Sequence, residues 1–228
     1  MNKLLNKLQG DSPQEILRNA TEISSGIVFS TSFGKEDQVI TDIIAKNQFN
    51  IDIFTLDTGR LFEETYQVFD RTVKKYKLEI NTYYPKTDRV EELVTKKGPY
   101  SFYDSVENRK ECCGIRKIEP LQRAIKGKNI WVTGLRAEQS ENRQHMTQVE
   151  WDEVNKIVKI HPLFHWSKQE LEEYIEKNNV PVNSLHKKGY PSIGCSSCTR
   201  PIVDGEDERA GRWWWESSKK ECGLHQTK

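Results

Sequence analysis

The 228 residues are enough for one ordinary domain plus extensions, with a core that needs no covalent staples. Lys and Arg number 35 against 34 Asp and Glu, a net charge of +1, which excludes bulk attraction to nucleic acid or to an anionic membrane surface; an anionic ligand must be held by local charge. Met1 to Gln14 lacks the continuous apolar stretch of a secretory signal and no run is long enough to span a bilayer, so the chain reads as a soluble cytoplasmic protein, and a reducing cytosol together with the odd count of five cysteines argues against a disulfide framework.

The apolar run Gly26 to Ser30, followed by small polar residues and an amphipathic stretch from Asp37 to Asn47, predicts strand, loop and helix. Ile51 to Leu56 repeats the pattern, with Asp57-Thr58-Gly59 as the turn and Leu61 to Tyr76 as the helix. A third strand is expected at Leu78 to Tyr84 and a fourth at Asn129 to Gly134, and this alternation implies βαβ units in a mostly parallel α/β sheet. Val149 to Ile160 predicts a hairpin turning through Asp152 to Lys156. Ser167-Lys168-Gln169-Glu170 has the form of a capping box, with Trp166 and Leu171 placed as a hydrophobic staple, and opens a helix from Lys168 to about Asn178. From Asn179 onward Pro, Gly, Ser and Cys dominate and the segment reads as loop-rich.

Ligands of open parallel sheets sit beyond the carboxyl ends of the strands, near the point where strand order reverses. Three unusual sequences fall at such ends: Ser30-Thr31-Ser32-Phe33-Gly34-Lys35-Glu36-Asp37, Leu56-Asp57-Thr58-Gly59-Arg60 and Gly134-Leu135-Arg136-Ala137-Glu138-Gln139-Ser140. Singly, such residues serve as helix caps, turns or solvated charges. Jointly they predict one pocket, in which the first loop offers hydroxyls and free N–H groups to an oxyanion and Arg136 and Arg143 add charge.

The cysteines divide as four plus one. Cys112-Cys113 and the C-x-x-C of Cys195 and Cys198 suit a structural zinc or an iron–sulfur cluster; the vicinal pair is awkward around one tetrahedral ion, yet spacing leaves zinc, cluster and free buried thiols all open. Cys222 lies in a polar tail with Lys219, Lys220 and His225 nearby, where positive charge favours a reactive thiolate.

Seven ordered motifs between Gly26 and His225 resemble the assimilatory adenylyl-sulfate and phosphoadenylyl-sulfate reductases. They are Ser-Phe-Gly-Lys-Glu-Asp (32–37), Leu-Asp-Thr-Gly-Arg-Leu (56–61), Cys-Cys-Gly-Ile-Arg-Lys-Ile-Glu-Pro-Leu (112–121), Gly-Leu-Arg-Ala-Glu-Gln-Ser-Glu-Asn-Arg (134–143), Tyr-Pro-Ser-Ile-Gly-Cys-Ser-Ser-Cys-Thr (190–199), Arg-Ala-Gly-Arg-Trp (209–213) and Glu-Cys-Gly-Leu-His (221–225). The resemblance implies a doubly wound sheet of the adenine-nucleotide α-hydrolase-like type. It implies Cys222 as the catalytic nucleophile and a [4Fe–4S] cluster on Cys112, Cys113, Cys195 and Cys198, the mark of the branch that uses adenosine 5′-phosphosulfate. Substrate contacts are implied for Ser30, Ser32, Phe33, Gly34, Lys35, Glu36, Asp37, Leu56, Asp57, Thr58, Gly134 and His225. Lys117 falls between cluster and substrate, and Arg136, Arg143, Arg209 and Arg212 are candidates for the phosphosulfate. Lys35 stands where the family often has a small residue, and Trp213-Trp214-Trp215 extends the usual single tryptophan; core packing is the first expectation for at least one of the three.

The implied reaction is sulfite release in sulfate assimilation and cysteine biosynthesis, through a Cys222 S-sulfonate resolved by a thioredoxin or glutaredoxin-like dithiol. A nucleotide-binding domain is expected over 1–203 and a mobile tail carrying the nucleophile over 204–228, with a homo-oligomer left open. Rival readings are use of the 3′-phosphorylated substrate, an ATP pyrophosphatase of the same fold, and a non-catalytic metal-binding redox module. The pyrophosphatases usually carry Ser-Gly-Gly-x-Asp-Ser where this chain has Ser-Phe-Gly-Lys-Glu-Asp.

Overall fold

A computed structural model of the chain describes residues 2–139 and 146–216, with side chains from residue 5 onward. It divides into two units, the first formed by Met1–Thr55, Glu63–Asn81 and Gly127–Ser184, the second by Leu56–Phe62, Thr82–Lys126 and Leu185–Lys228.

The first unit is built on the sheet. Strand β1 (Ile27–Ser30) has three consecutive buried apolar residues, as a strand covered on both faces requires. It lies parallel to β2 (Asp52–Leu56) on one side and to β4 (Ile130–Val132) on the other. Among the described residues the six-stranded order is β3-β2-β1-β4-β6-β5, where β3 is Ile80–Tyr83, β5 Val149–Asp152 and β6 Ile157–Ile160. Strand order therefore reverses between β1 and β4, and the crevice of a doubly wound sheet opens beyond their carboxyl ends.

Helices α1 (Asn2–Leu8), α2 (Pro13–Ile23), α3 (Lys35–Asn47), α4 (Glu63–Tyr76) and α8 (Lys168–Asn178) accompany this sheet. The core gathers Ile27 and Phe29 of β1, Val39, Ile40, Ile43 and Ile44 of α3, Val132 of β4 and Leu171 and Ile175 of α8. The Ser167 capping box forms as its sequence dictates: the Glu170 N–H donates to Ser167 Oγ (3.2 Å) and the Ser167 N–H to Glu170 Oε2 (2.7 Å). Trp166 packs against this core and its ring lies 5.6 Å from that of Tyr174. The hairpin also forms, its turn closed by Asp152 accepting from the Val154 and Asn155 N–H groups at 2.9 Å each, while antiparallel β5 edges the otherwise mostly parallel sheet.

Boundaries shift where loops begin early. Helix α3 starts two residues before the expected Asp37, because Gly34 takes the N-cap, and α4 starts at Glu63 rather than Leu61. Strand β4 ends at Val132 because Thr133 turns its hydroxyl to His161 Nδ1, 2.6 Å away.

The second unit carries α5 (Thr87–Lys97), α6 (Val106–Cys113) and α7 (Glu119–Ile125); α5 buries only Leu93 and α6 no apolar residue, whereas the short α7 buries Pro120, Leu121, Ala124 and Ile125. A π turn over Gly114–Ile118 joins α6 to α7. Such turns inside helices frequently mark functional positions. Residues 204–216 belong to this unit, with Trp213 only 1% exposed; the rest of the expected tail, 217–228, lies outside the described residues. No helix among the described residues is long and apolar enough to cross a membrane.

Candidate functional site

The first unit brings the first and third loops together at the crevice. The Asp37 carboxylate folds back over the first loop, where Oδ2 accepts from the Ser32 N–H (2.6 Å) and the Ser32 hydroxyl (2.8 Å). The Phe33 N–H donates to Thr31 Oγ1 (3.1 Å), and Phe33 takes a left-handed φ of 61° that sends its buried ring to stack on Phe69 at 4.7 Å. Ser30 Oγ accepts from Trp131 Nε1–H at 2.9 Å. Gly34 N-caps α3 without a side-chain bond of its own. The third loop approaches so closely that a Cβ at Gly134 would overlap Asp37 Oδ1, so any side chain there displaces the Asp37 carboxyl.

Arg136, expected at the phosphosulfate, and Lys35, expected as a substrate contact, each have a carboxylate beside them. Arg136, 3% exposed, donates through Nε to Glu36 (2.9 Å) and through Nη1 to Glu138 (3.3 Å) and the Trp166 carbonyl (3.2 Å). Lys35 pairs with Glu172 of α8. Sequence supplies the charge but not the acidic neighbour the fold sets beside it. In this arrangement Arg136 is a strut between the two loops, and Glu36 is its counter-ion. Arg143 lies outside the described residues.

Burial raises the Asp37 carboxyl to about 6 from the ordinary 3.8; the Ser32 bonds pull it down and neighbouring Glu36 pushes it up. The folded chain thus keeps this proton to higher pH than the unfolded chain does. Its contribution to stability is full below about pH 4 and is lost as pH rises through about 6. Asp37→Asn is expected to flatten that slope by roughly 2–3 kcal/mol, measured as the difference in urea-unfolding free energy between pH 4 and pH 7. An unchanged slope would contradict the assignment.

The second unit holds the cysteines. Helix α6, capped by Ser105 Oγ accepting from the Asn108 N–H (3.1 Å), carries Arg109, Cys112 and Cys113, and Arg116 and Lys117 follow on the π turn. Opposite them a short helical turn over Ser196–Cys198 presents Cys195 and Cys198. That turn is pinned by the Ser196 N–H to the Arg60 carbonyl (2.8 Å) and by the Thr199 hydroxyl to the Cys195 carbonyl (2.9 Å). All four cysteines are free thiols and line one hollow with Arg60, Arg109, Arg116 and Lys117. Phe102, Ser197 and Trp213 complete the wall.

The thiols differ electrostatically. Burial pushes Cys195 up, but Lys117, the Thr58 hydroxyl 3.3 Å from its sulfur, Arg212 and Arg60 outweigh it and leave the thiol lowered. Burial dominates at Cys112, which is raised, and at Cys198, pushed up to about 11 with help from the charge of Cys195. Lys117 thus acts on Cys195 and Cys198.

The remaining predicted residues are distributed around this hollow's framework. Asp57 Oδ1 accepts from the Gly59 N–H (2.8 Å), a turn bond, and the Thr58 carbonyl accepts from Arg116 Nη1 (2.6 Å); Leu56 is half-buried at the end of β2. Arg212 is buried, with Nη1 3.3 Å from Ser192 Oγ, and a Cβ at Gly194 would overlap its guanidinium. Arg209 is half-buried, its N–H held by Asp207 Oδ1 at 2.8 Å. Cys222 and His225 lie outside the described residues. Sequence reasoning missed Arg60, Arg109 and Arg116 as wall residues. The signal was present for two of them, because Arg109, Cys112, Cys113 and Arg116 recur at the three- and four-residue spacing that puts side chains on one helical face.

Whether the donor set fits the implied cluster can be judged from these side chains. Among the described residues no group of three or more His, Cys, Asp or Glu is arranged to hold a single metal ion. The four thiols nonetheless share one hollow, walled by cations suited to a negatively charged thiolate-bound cluster, and the donor set fits that group chemically.

A sheet whose order reverses between β1 and β4, with a polar loop after each, defines an α/β protein of the adenine-nucleotide α-hydrolase-like type. The family model "Phosphoadenosine phosphosulfate reductase domain" matches residues 26–201. The adenosine 5′-phosphosulfate reductase of Allochromatium vinosum is 50% identical over 92% of this chain and 83% of its own length, and that of Neisseria meningitidis serogroup B is 51% identical over 86% and 81%. The crystal structure of phosphoadenylyl-sulfate (PAPS) reductase from Candida auris, a phosphate complex, superposes with a TM-score of 0.73 at 33% identity, covering 86% of this chain and 93% of that one. The chain belongs to the phosphoadenosine phosphosulfate reductase family.

Proposed function

We propose that this chain is an oxidoreductase that reduces adenosine 5′-phosphosulfate to sulfite and AMP in sulfate assimilation, in the cytoplasm, with a thioredoxin or glutaredoxin-like dithiol as reductant. The observation that carries the reading is the four-cysteine hollow walled by Arg60, Arg109, Arg116 and Lys117 in a chain of this family. Relatives named for the 5′-phosphosulfate at about half identity favour that substrate over its 3′-phosphorylated form.

In the first step the Cys222 thiolate attacks the sulfur of the phosphosulfate. An S–S bond forms, the sulfur–oxygen bond to phosphate breaks, and AMP leaves with that electron pair. In the second step one thiolate of the dithiol attacks Cys222 and expels sulfite, and its other thiol resolves the mixed disulfide. The two electrons that take the sulfur from sulfate to sulfite come from the dithiol, which ends as a disulfide.

Lys117, with Arg209 and Arg212, offsets charge moving onto the leaving phosphate and the transferring sulfonate. Cys112, Cys113, Cys195 and Cys198 would hold a [4Fe–4S] cluster, which when bound supplies fixed charge beside Lys117. The two substrates distinguish the reading: kcat/KM with adenosine 5′-phosphosulfate is expected to exceed that with the 3′-phosphorylated form by at least about tenfold. The reverse preference would assign the chain to the other substrate.

A further inference from the structure

Trp131 is the middle residue of β4 and is buried, and its Nε1–H donates to Ser30 Oγ at 2.9 Å. The parallel register explains the reach. Val28 pairs with Trp131, so the two side chains share a face of the sheet, and Ser30, two residues beyond Val28, shares it too. The indole leans along the strand to the carboxyl end of β1, where the crevice opens. On the other side of β4, Trp131 pairs with Lys159 of β6, whose ammonium sits 5.1 Å from the centre of the ring. Lys159 is 2% exposed and its Nζ lies 2.6 Å from Asp152 Oδ2, the carboxylate that closes the β5–β6 turn. A desolvated cation over an indole face holds that ring more firmly than an exposed one does. Asp152, Lys159, Trp131 and Ser30, all within the first unit, form one line of contacts from the hairpin to the crevice.

An indole nitrogen is a donor only, so Ser30 Oγ accepts from it and the hydroxyl proton must be spent elsewhere. Ser30 is half-buried, and among the described residues no acceptor takes that proton. We infer that Trp131 is a positioning residue: it holds Ser30 in the rotamer that offers its O–H to the crevice, as a donor to an acceptor atom of the adenine nucleotide. The inference rests on the reading of the chain as a reductase whose nucleotide sits in this crevice. A serine side chain has three staggered wells, and its hydroxyl turns freely within each. Removing the indole N–H opens those states and lets the hydroxyl turn its proton away from the crevice. Binding must then order the side chain again, and part of the contact is lost to that cost.

The experiment measures AMP binding by calorimetry to the full-length holoenzyme, as wild type, Trp131→Phe, Ser30→Ala and the double variant. Phenylalanine keeps an aromatic ring beside Lys159 and removes the N–H, and thermal unfolding records the packing cost separately. Ser30→Ala is expected to weaken AMP roughly five- to tenfold and Trp131→Phe roughly threefold, with the double variant no weaker than Ser30→Ala alone. Wild-type affinity in Trp131→Phe would overturn the inference. Equal losses from Trp131→Phe in both backgrounds would overturn it as well, because the indole would then support the sheet and not the hydroxyl. A second readout leaves position 131 untouched: in protein labelled with nitrogen-15 at tryptophan, the indole signal that moves in Ser30→Ala is expected to move also when AMP is added to the wild type. Two different indole signals responding, or none, would count against the contact even if Trp131→Phe did not fold. A wild-type protein that binds no AMP would instead refute the nucleotide reading, and the role of Trp131 with it.

Discussion

Cys222→Ser is expected to bind AMP as the unsubstituted chain does and to lose sulfite formation by on the order of 10³-fold or more. Two effects combine. A serine hydroxyl at neutral pH is a far weaker nucleophile than a cysteine thiolate. Were it to attack, the product would be a sulfate ester, which offers no sulfur–sulfur bond for a dithiol to cleave, so turnover would stop at that stage. Substrate carrying a radioactive sulfur checks the point: the wild-type chain should retain label in the absence of reductant, and the variant should not. Label retained on the variant and released from it as sulfite by a dithiol would place the nucleophile elsewhere.

The second large effect falls on the other four cysteines. Protein purified anaerobically is expected to carry about four irons per chain and a broad visible absorption. Cys195→Ser should lose both, because its sulfur is the most buried of the four and the one favoured as thiolate by Lys117, the Thr58 hydroxyl, Arg212 and Arg60. Cys222→Ser should keep both. That contrast tests the division of four plus one independently of activity. One zinc per colourless wild-type chain would refute the cluster, and equal iron loss in the two variants would refute the division.

What could be read from sequence was governed by how local its cause is. The α8 capping box depends on Ser167 and Glu170 alone, and the hairpin turn on Asp152 and its next three residues, so both were legible. The placement of polar loops at strand ends follows from the order of apolar runs, and the first and third loops do meet at the crevice. The partners of Arg136 and Lys35 were not legible. Glu36 is a hundred residues from Arg136 and Glu172 more than a hundred from Lys35, and only the fold sets those carboxylates beside the two cations. Helices α5 and α6 escaped because almost none of their residues are buried and apolar, leaving little stripe to detect, and α7 because its buried Leu121, Ala124 and Ile125 span barely two turns. Of the three tryptophans, sequence allowed any one to be the core residue; Trp213 is buried while Trp214 is 38% exposed. Cys222, assigned by resemblance and local charge, lies beyond the last described residue.

The central claim is transfer in two separable steps, and a single-turnover experiment addresses it most directly. Purified holoenzyme is mixed with adenosine 5′-phosphosulfate without reductant, AMP and sulfite are quantified, and a dithiol is then added. One AMP per chain is expected before the dithiol, with the sulfonate held on Cys222 and sulfite appearing in equal amount only afterwards. Sulfite released before any thiol is present, or no AMP at either stage, would contradict it.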